Sequence, residues 1–288
     1  MREAWDKQSD LTKVTLGNIL LKGIFGTIIT QPLAGLVTIS QVTMDALLVD
    51  RLALVWERGM FKGLVPSIFR ESGKAAYKTP VMLKAQGFVE KQLQQHAPEL
   101  AGNKIAVNVL AGVLFGSFDA TVSVIPDRIA TFYKASTAKD QKLTEYLKES
   151  SGPLEIWQKL TKGYSVYLSK QIFMCTTLYV AHTFAAEKSK ELFPEKKEKQ
   201  MVVTSLFSSM SVAVASLPLE WAKSLRQKPG APKDVSTLKL ATTAIQEHGW
   251  KAPFSGMGPK LLLTTLGYTF NAAALTFYKQ ATEGNARE

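Results

Sequence analysis

Three prolines, Pro32, Pro126 and Pro218, each end a long apolar run, and they are spaced 94 and 92 residues apart. Three glycines repeat with nearly the same period: Gly63, Gly163 and Gly256 each follow a basic or polar residue, at separations of 100 and 93. Self-similarity at a fixed spacing means that one structural unit is built three times. Charge-free windows give that unit its character. Gly23 to Met44 has no charged residue over 22 positions, Met201 to Leu219 none over 19 and Leu261 to Tyr278 none over 18. Each approaches the roughly 20 residues of a membrane-crossing helix. Ile105 to Phe118 and Gln171 to Ala186 reach that length only if Asp119 and Lys170 lie inside the spans. A sixth candidate, from Gly63 to about Lys91, carries Arg70, Lys74, Lys78 and Lys84. Hydropathy alone rejects it, and its place in the repeat restores it.

Each unit reads as a proline-bent helix, a polar loop holding a short amphipathic helix, and a second long helix opened by glycine. The short helices are expected at Ala46 to Arg58, Leu154 to Leu160 and Ser236 to His248. Small residues such as Gly112 and Gly116, in a G-x-x-x-G spacing, let long helices approach closely in lipid. The fold class that follows is an all-α membrane protein: one domain, 1–288, of six transmembrane helices in three pseudo-threefold repeats, 11–100, 101–195 and 196–288. Both termini are expected on one side.

Charge and hydropathy then narrow the function. The net charge is +11 and the pI near 9.5, which favours an anionic partner. A mean hydropathy of +0.01 is too low for uniformly greasy spans, so the helices must be amphipathic around a wet interior. Arg70, Lys74 and Lys78 recur every four residues and form one basic stripe, which cannot face lipid. Snorkelling of these long side chains to headgroups is the plainer alternative. The single cysteine, Cys175, excludes an intramolecular disulfide and a cysteine-based zinc cluster. His96, His182 and His248 have no metal spacing, and no phosphate loop, nucleophile elbow or redox pair is present. The chain is therefore not expected to be an enzyme or to carry a cofactor. A nucleic-acid binder fits poorly with three near-membrane-length apolar runs. Met1 to Lys13 mixes acids and bases, so neither a secretory signal nor an acid-free transit peptide is expected.

One stretch, Val212 to Lys260, carries a complete three-part pattern. Pro218 is followed by Glu220 two residues on, Lys223 five on and Gln227 nine on; after a polar loop come Glu247-His248-Gly249-Trp250 and Phe254-Ser255-Gly256-Met257-Gly258-Pro259. Glu220 and Lys223 share one helix face, and charges there are expensive unless paired or facing water. This order resembles one repeat of the mitochondrial carrier family. The first repeat keeps Pro32 and Gln41 but has Ala34 and Val37 where the charges should stand. In the second, Pro126 and Asp127 are followed by Arg128 in the acid's place, Thr131 in the base's and Ala135 in the glutamine's. A base seven residues after the glycine survives as Arg70 and Lys170, with Leu263 third. The aromatic-acidic-basic pattern that closes the opposite side in relatives is not recognisable.

The resemblance implies transport, by exchange and alternating access, of an anionic solute across the mitochondrial inner membrane. A nucleotide such as ATP or ADP suits the charge. The chain would be a carrier of the ADP/ATP type, or a secreted bacterial imitation of one working in a host cell. The alternative is a carrier-like scaffold, receptor or insertase that does not transport. Substrate contacts carried over by position are Arg70, Lys170 with Gln171, and Leu263 with Thr264. Lys74 assists, and Met174 is available to pack on a base. The gate carried over comprises Pro32, Gln41, Pro126, Asp127, Arg128, Pro218, Glu220, Lys223 and Gln227. In that gate Glu220 meets the position of Val37 and Lys223 that of Arg128, with Asp127 the only relief. Val37→Lys and Arg128→Asp are accordingly expected to strengthen closure. Partners implied are the nucleotide and membrane lipid, cardiolipin included, at the ends of the short helices. The chain is implied to be a monomer without a nucleic-acid partner.

Overall fold

A computed structural model describes residues 19–43, 47–135, 143–148, 150–227, 232 and 235–267. The outer ends of the first and last repeats, the part of the Leu261–Tyr278 window beyond residue 267, and the placing of the termini lie outside the described residues. No strand occurs among them. A π-helical stretch, Ile19–Gly26, runs into α1 (Thr27–Val42); then come α2 (Leu48–Arg58), α3 (Leu64–His96), the single turn α4 (Pro98–Ala101), α5 (Lys104–Ala135) and α6 (Leu143–Lys148). The chain continues through α7 (Pro153–Leu160), α8 (Tyr164–Leu192), α9 (Lys197–Gln227), α10 (Thr237–His248) and a 3₁₀ turn, Ala252–Phe254. A last helix, α11, occupies residues 257–267. Among the described residues, three helices are long and apolar enough to cross a membrane: Gly23–Val42, Lys104–Lys134 and Lys197–Gln227. Pro32, Pro126 and Pro218 each lie inside a continuous helix.

The long helices pack in sequence order, with α3 against α5, α5 against α8 and α8 against α9. At one end Ala85, Val89 and Leu93 of α3 enclose Val107, Ala111 and Phe115 of α5 with Cys175 and Tyr179 of α8. Cys175 is therefore a packing residue. The short helices cover the other end. Leu36 and Ile39 of α1 hold Val55 of α2, and Trp221 of α9 holds Ala244 of α10 with Ala252. Trp56 and Trp157 stand exposed on α2 and α7, and Trp250 in the turn after α10. An amphipathic indole suits a membrane interface.

Gly112 and Gly116 of α5 let α8 come close. A Cβ at Gly112 would stand 2.5 Å from Thr176 Cα, and one at Gly116 would stand 2.6 Å from Ile172 Cα, both backbone atoms that cannot rotate away. Gly116→Val is therefore expected to cost at least about 1–3 kcal/mol by overpacking. Gly87→Ala is the control, since a Cβ there meets nothing within 4 Å. Thermal unfolding of the purified variants measures the difference.

The repeating glycines have a shared cause. Gly63, Gly163 and Gly256 have φ of 76°, 82° and 84°, the left-handed region where a side chain is strained. Each also touches the next unit. A Cβ at Gly63 would lie 3.1 Å from Tyr133 Cβ at the end of α5, one at Gly163 3.5 Å from Gln227 Cγ at the end of α9, and one at Gly256 3.2 Å from Ser40 Cβ at the end of α1. The glycine before α3 thus rests on the end of α5, the one before α8 on the end of α9, and the one before α11 on the end of α1.

Candidate functional site

Those three contacts bring the ends of α1, α5 and α9 together beneath the first turns of α3, α8 and α11, around a central cavity of about 280 Å³. Among the described residues, seven bases face it, Arg70, Lys74, Lys78, Lys134, Lys170, Lys223 and Lys260, against three carboxylates, Glu71, Asp127 and Glu220. An excess of cations in a cleft between helices concentrates anions. A second lobe of about 190 Å³ adjoins it, and Ala34, Arg70, Glu71, Lys134 and Leu263 border both.

Most of the cations already have partners, and the partners tie helices together. Asp127 of α5 accepts from Arg70 of α3 at 3.0 Å and from Lys223 of α9 at 2.8 Å. Glu220 of α9 accepts from Lys170 of α8 at 3.2 Å and from Lys260 of α11 at 2.9 Å. Arg70 also holds Glu71 at 2.7 Å. The ring of Tyr167, buried at the centre, lies 5.5 Å from both Lys170 Nζ and Lys223 Nζ. Such cation–π contacts lower the cost of two cations sharing one space.

A second network sits deeper in the bundle. Asp119 of α5, 1% exposed, accepts hydrogen bonds from Tyr77, Ser123 and Gln171. Lys74 Nζ stands 3.7 Å from it. A lone carboxylate inside an apolar span is costly without such partners.

The residues singled out in the sequence fall as follows. Arg70, Lys74, Lys170, Gln171, Met174 and Leu263 all line the cavity. Thr264 lines neither lobe and is half-buried. Gln41 also faces the cavity and accepts from Ser224 at 2.7 Å. Gln227 donates to the carbonyl of Lys162 at 3.3 Å.

The gate pairing differs from expectation. Lys223 does not confront Arg128: it meets Asp127, while Arg128 donates to the carbonyls of Gln227 at 2.7 Å and Lys159 at 3.4 Å. Glu220 is not left facing Val37, because Lys170 and Lys260 reach it. Successive helix residues differ by about 100° in direction, so the acid one residue after Pro126 points where the family pattern has no charge. Val37 is instead a buried wall under Gly256.

Lys134, Lys260, Tyr167, Tyr77 and Asp119 were not singled out from sequence. A signal for some of them existed. Ser67, Tyr167 and Lys260 each stand four residues after the repeating glycine, one turn before Arg70, Lys170 and Leu263, and helical periodicity turns both sets the same way.

No protein-family model matches the chain, and no curated protein matches it significantly in sequence.

Proposed function

We propose that the chain is a divergent carrier-type transporter: six membrane-spanning helices in three repeats, moving an anionic solute by alternating access across the mitochondrial inner membrane. The cavity carries this reading. Seven bases against three carboxylates among helices of membrane length make a place where an anion is stable and lipid is not. The cyclic docking of Gly63, Gly163 and Gly256 supports three repeats closing on themselves.

The ion pairs give the solute work to do. Arg70 and Lys170 are neutralised by Asp127 and Glu220, which sit on α5 and α9. A phosphate that takes hydrogen bonds from the fork of Arg70 and the ammonium of Lys170 competes with those carboxylates. Binding therefore weakens the links from α3 to α5 and from α8 to α9, which couples occupancy to rearrangement. A nucleotide suits the walls: phosphates at the bases, and Met174 and Leu263 beside the uncharged end.

Nucleotide binding by the purified chain tests this. Arg70→Ala and Lys170→Ala are each expected to weaken ATP at least about tenfold, the scale of a charged hydrogen bond. Lys188→Ala removes an exposed cation paired with Glu191 outside the cavity, and leaves affinity unchanged. Equal affinity in both cavity variants, at matched folding and salt, removes the anion cavity from consideration.

A further inference from the structure

The smaller lobe is untouched by the contacts assigned to Lys170 and Met174, and it holds two groups without a hydrogen-bond partner among the described residues. Its walls include Thr27, Thr30, Gln31, Ser67, Arg70 and Lys134. Lys134 is 8% exposed, and among the described residues it has neither an ion pair nor a hydrogen bond. Of the other cavity bases, Arg70, Lys74, Lys170, Lys223 and Lys260 each have a carboxylate within 4 Å, while Lys78, half-buried and outside the smaller lobe, has none among the described residues. Ser67 is fully buried, and its Oγ has no hydrogen-bond partner. An ammonium on a largely buried side chain that opens on the lobe and the cavity, and a buried hydroxyl without a partner, are each costly unless water or a ligand reaches them.

The remaining polar groups of the lobe are mostly engaged. Thr30 donates to the carbonyl of Gly26, Gln31 Nε2 to that of Lys62, and Glu71 is held by Arg70. Lys134 has three donors to give and Ser67 one. One ligand satisfies both: a small oxyanion, which offers several acceptors and the missing negative charge. The lobe shares the wall formed by Arg70, Glu71 and Lys134 with the larger cavity, so one solute can reach both.

We propose that this lobe is a second anion subsite that takes a terminal phosphate, with Lys134 and Ser67 as its donors. A solute held by Arg70 and Lys170 in the cavity and by Lys134 in the lobe carries at least two phosphates. The substrate class is thereby a nucleoside di- or triphosphate, in preference to a monophosphate or a dicarboxylate. The solute's identity rests on the transport reading; the subsite itself does not.

The test is calorimetric binding of AMP, ADP and pyrophosphate to the full chain purified in detergent, as wild type, Lys134→Met and Ser67→Ala. Wild type is expected to bind ADP about tenfold or more tightly than AMP. Lys134→Met abolishes that preference and leaves AMP within about twofold, and Ser67→Ala falls between. Without ligand, Lys134→Met unfolds at or above the wild-type temperature, since a buried unpaired charge has been removed; this separates lost binding from lost folding. Equal affinity of wild type for AMP and ADP overturns the subsite. So does a Lys134→Met variant that weakens both alike, or neither. Pyrophosphate separates the two readings. Lys134-dependent pyrophosphate binding without nucleotide binding keeps the subsite and defeats the nucleotide, whereas no pyrophosphate binding defeats the subsite. Displacement of pyrophosphate by phosphatidylglycerol in mixed micelles would assign the lobe to a lipid headgroup and overturn the solute assignment.

Discussion

Asp127→Leu is expected to destabilise the folded chain by about 3–5 kcal/mol, the range for removing one partner of a buried ion pair. Asp127 is 3% exposed and is the carboxylate shared by Arg70 and Lys223. Its removal leaves Lys223, 6% exposed, with no other acid among its ion pairs, while Arg70 keeps Glu71. The effect should be reciprocal. Lys223→Met alone strands part of the Asp127 charge, but the double variant Asp127→Leu, Lys223→Met removes both charges and is expected to recover most of the loss. A double-mutant cycle on unfolding midpoints measures the coupling. Glu187→Gln is the comparison: its pair with Lys104 is exposed on both sides, and such pairs contribute about 0–1 kcal/mol. A coupling between Asp127 and Lys223 no larger than that of the exposed pair would show that the α5–α9 link is not held by charge.

Arg128→Asp is expected to weaken the fold rather than improve closure, which reverses the expectation from the repeat pattern. Arg128 is 3% exposed. Its guanidinium donates to the carbonyl of Gln227 at the end of α9 and to that of Lys159 at the end of α7. Gln227 in turn donates to the carbonyl of Lys162, just before the left-handed Gly163. Arg128, Gln227 and the carbonyls of Lys159 and Lys162 form a clasp that ties α5 and α7 to the end of α9. A carboxylate at position 128 would face those carbonyl oxygens with no donor to give. Each hydrogen bond lost from a charged group costs about 1.5–3 kcal/mol, and the buried acid adds its own desolvation. Arg128→Met, which fills the space without charge, should lose the clasp but avoid the repulsion. Thermal unfolding should rank the wild type first, Arg128→Met second and Arg128→Asp last; Arg128→Asp at or above wild-type stability contradicts the clasp.

The all-helical character and the positions of the membrane-length helices were legible, because they depend on properties that sequence carries directly. Charge-free windows of near-membrane length marked α1, α9 and the stretch from Leu261 that begins in α11, a shorter window marked part of α5, and the repeat marked α3, which hydropathy rejects. The reason for that rejection is now physical: Arg70, Lys74 and Lys78 lie one turn apart on α3 and all line the cavity, so they lower the mean hydropathy without facing lipid. The expected short helices fall within two residues of α2, α7 and α10. The glycine signal was legible for the same reason. A left-handed residue pressed on a neighbouring helix admits no side chain.

Charge pairing was not legible. Which carboxylate meets which base depends on the rotation of each helix about its axis, and a displacement of one residue turns a side chain by about 100°. That displacement separates Asp127 from the expected acid position, and it changes the partner of Lys223 from a repelling arginine to an attracting carboxylate. Nor could sequence show that Lys134 has no ion pair among the described residues, since that depends on where Glu71 and Asp127 turn. The seven-residue offset from glycine was followed without the turn before it, so Lys260 and Tyr167 escaped notice.

Uptake by liposomes addresses the central proposal, that this cavity passes anions through a membrane. The purified chain is reconstituted in liposomes loaded with ATP, and entry of labelled ATP and ADP is followed beside protein-free liposomes and the double variant Arg70→Ala, Lys170→Ala. A transporter gives saturable uptake above the protein-free level that needs internal nucleotide, and the double variant lowers it by about tenfold or more. Uptake of nucleotide, phosphate and carboxylates alike at the protein-free level, from correctly folded and inserted protein, would contradict transport and leave the chain a carrier-like scaffold.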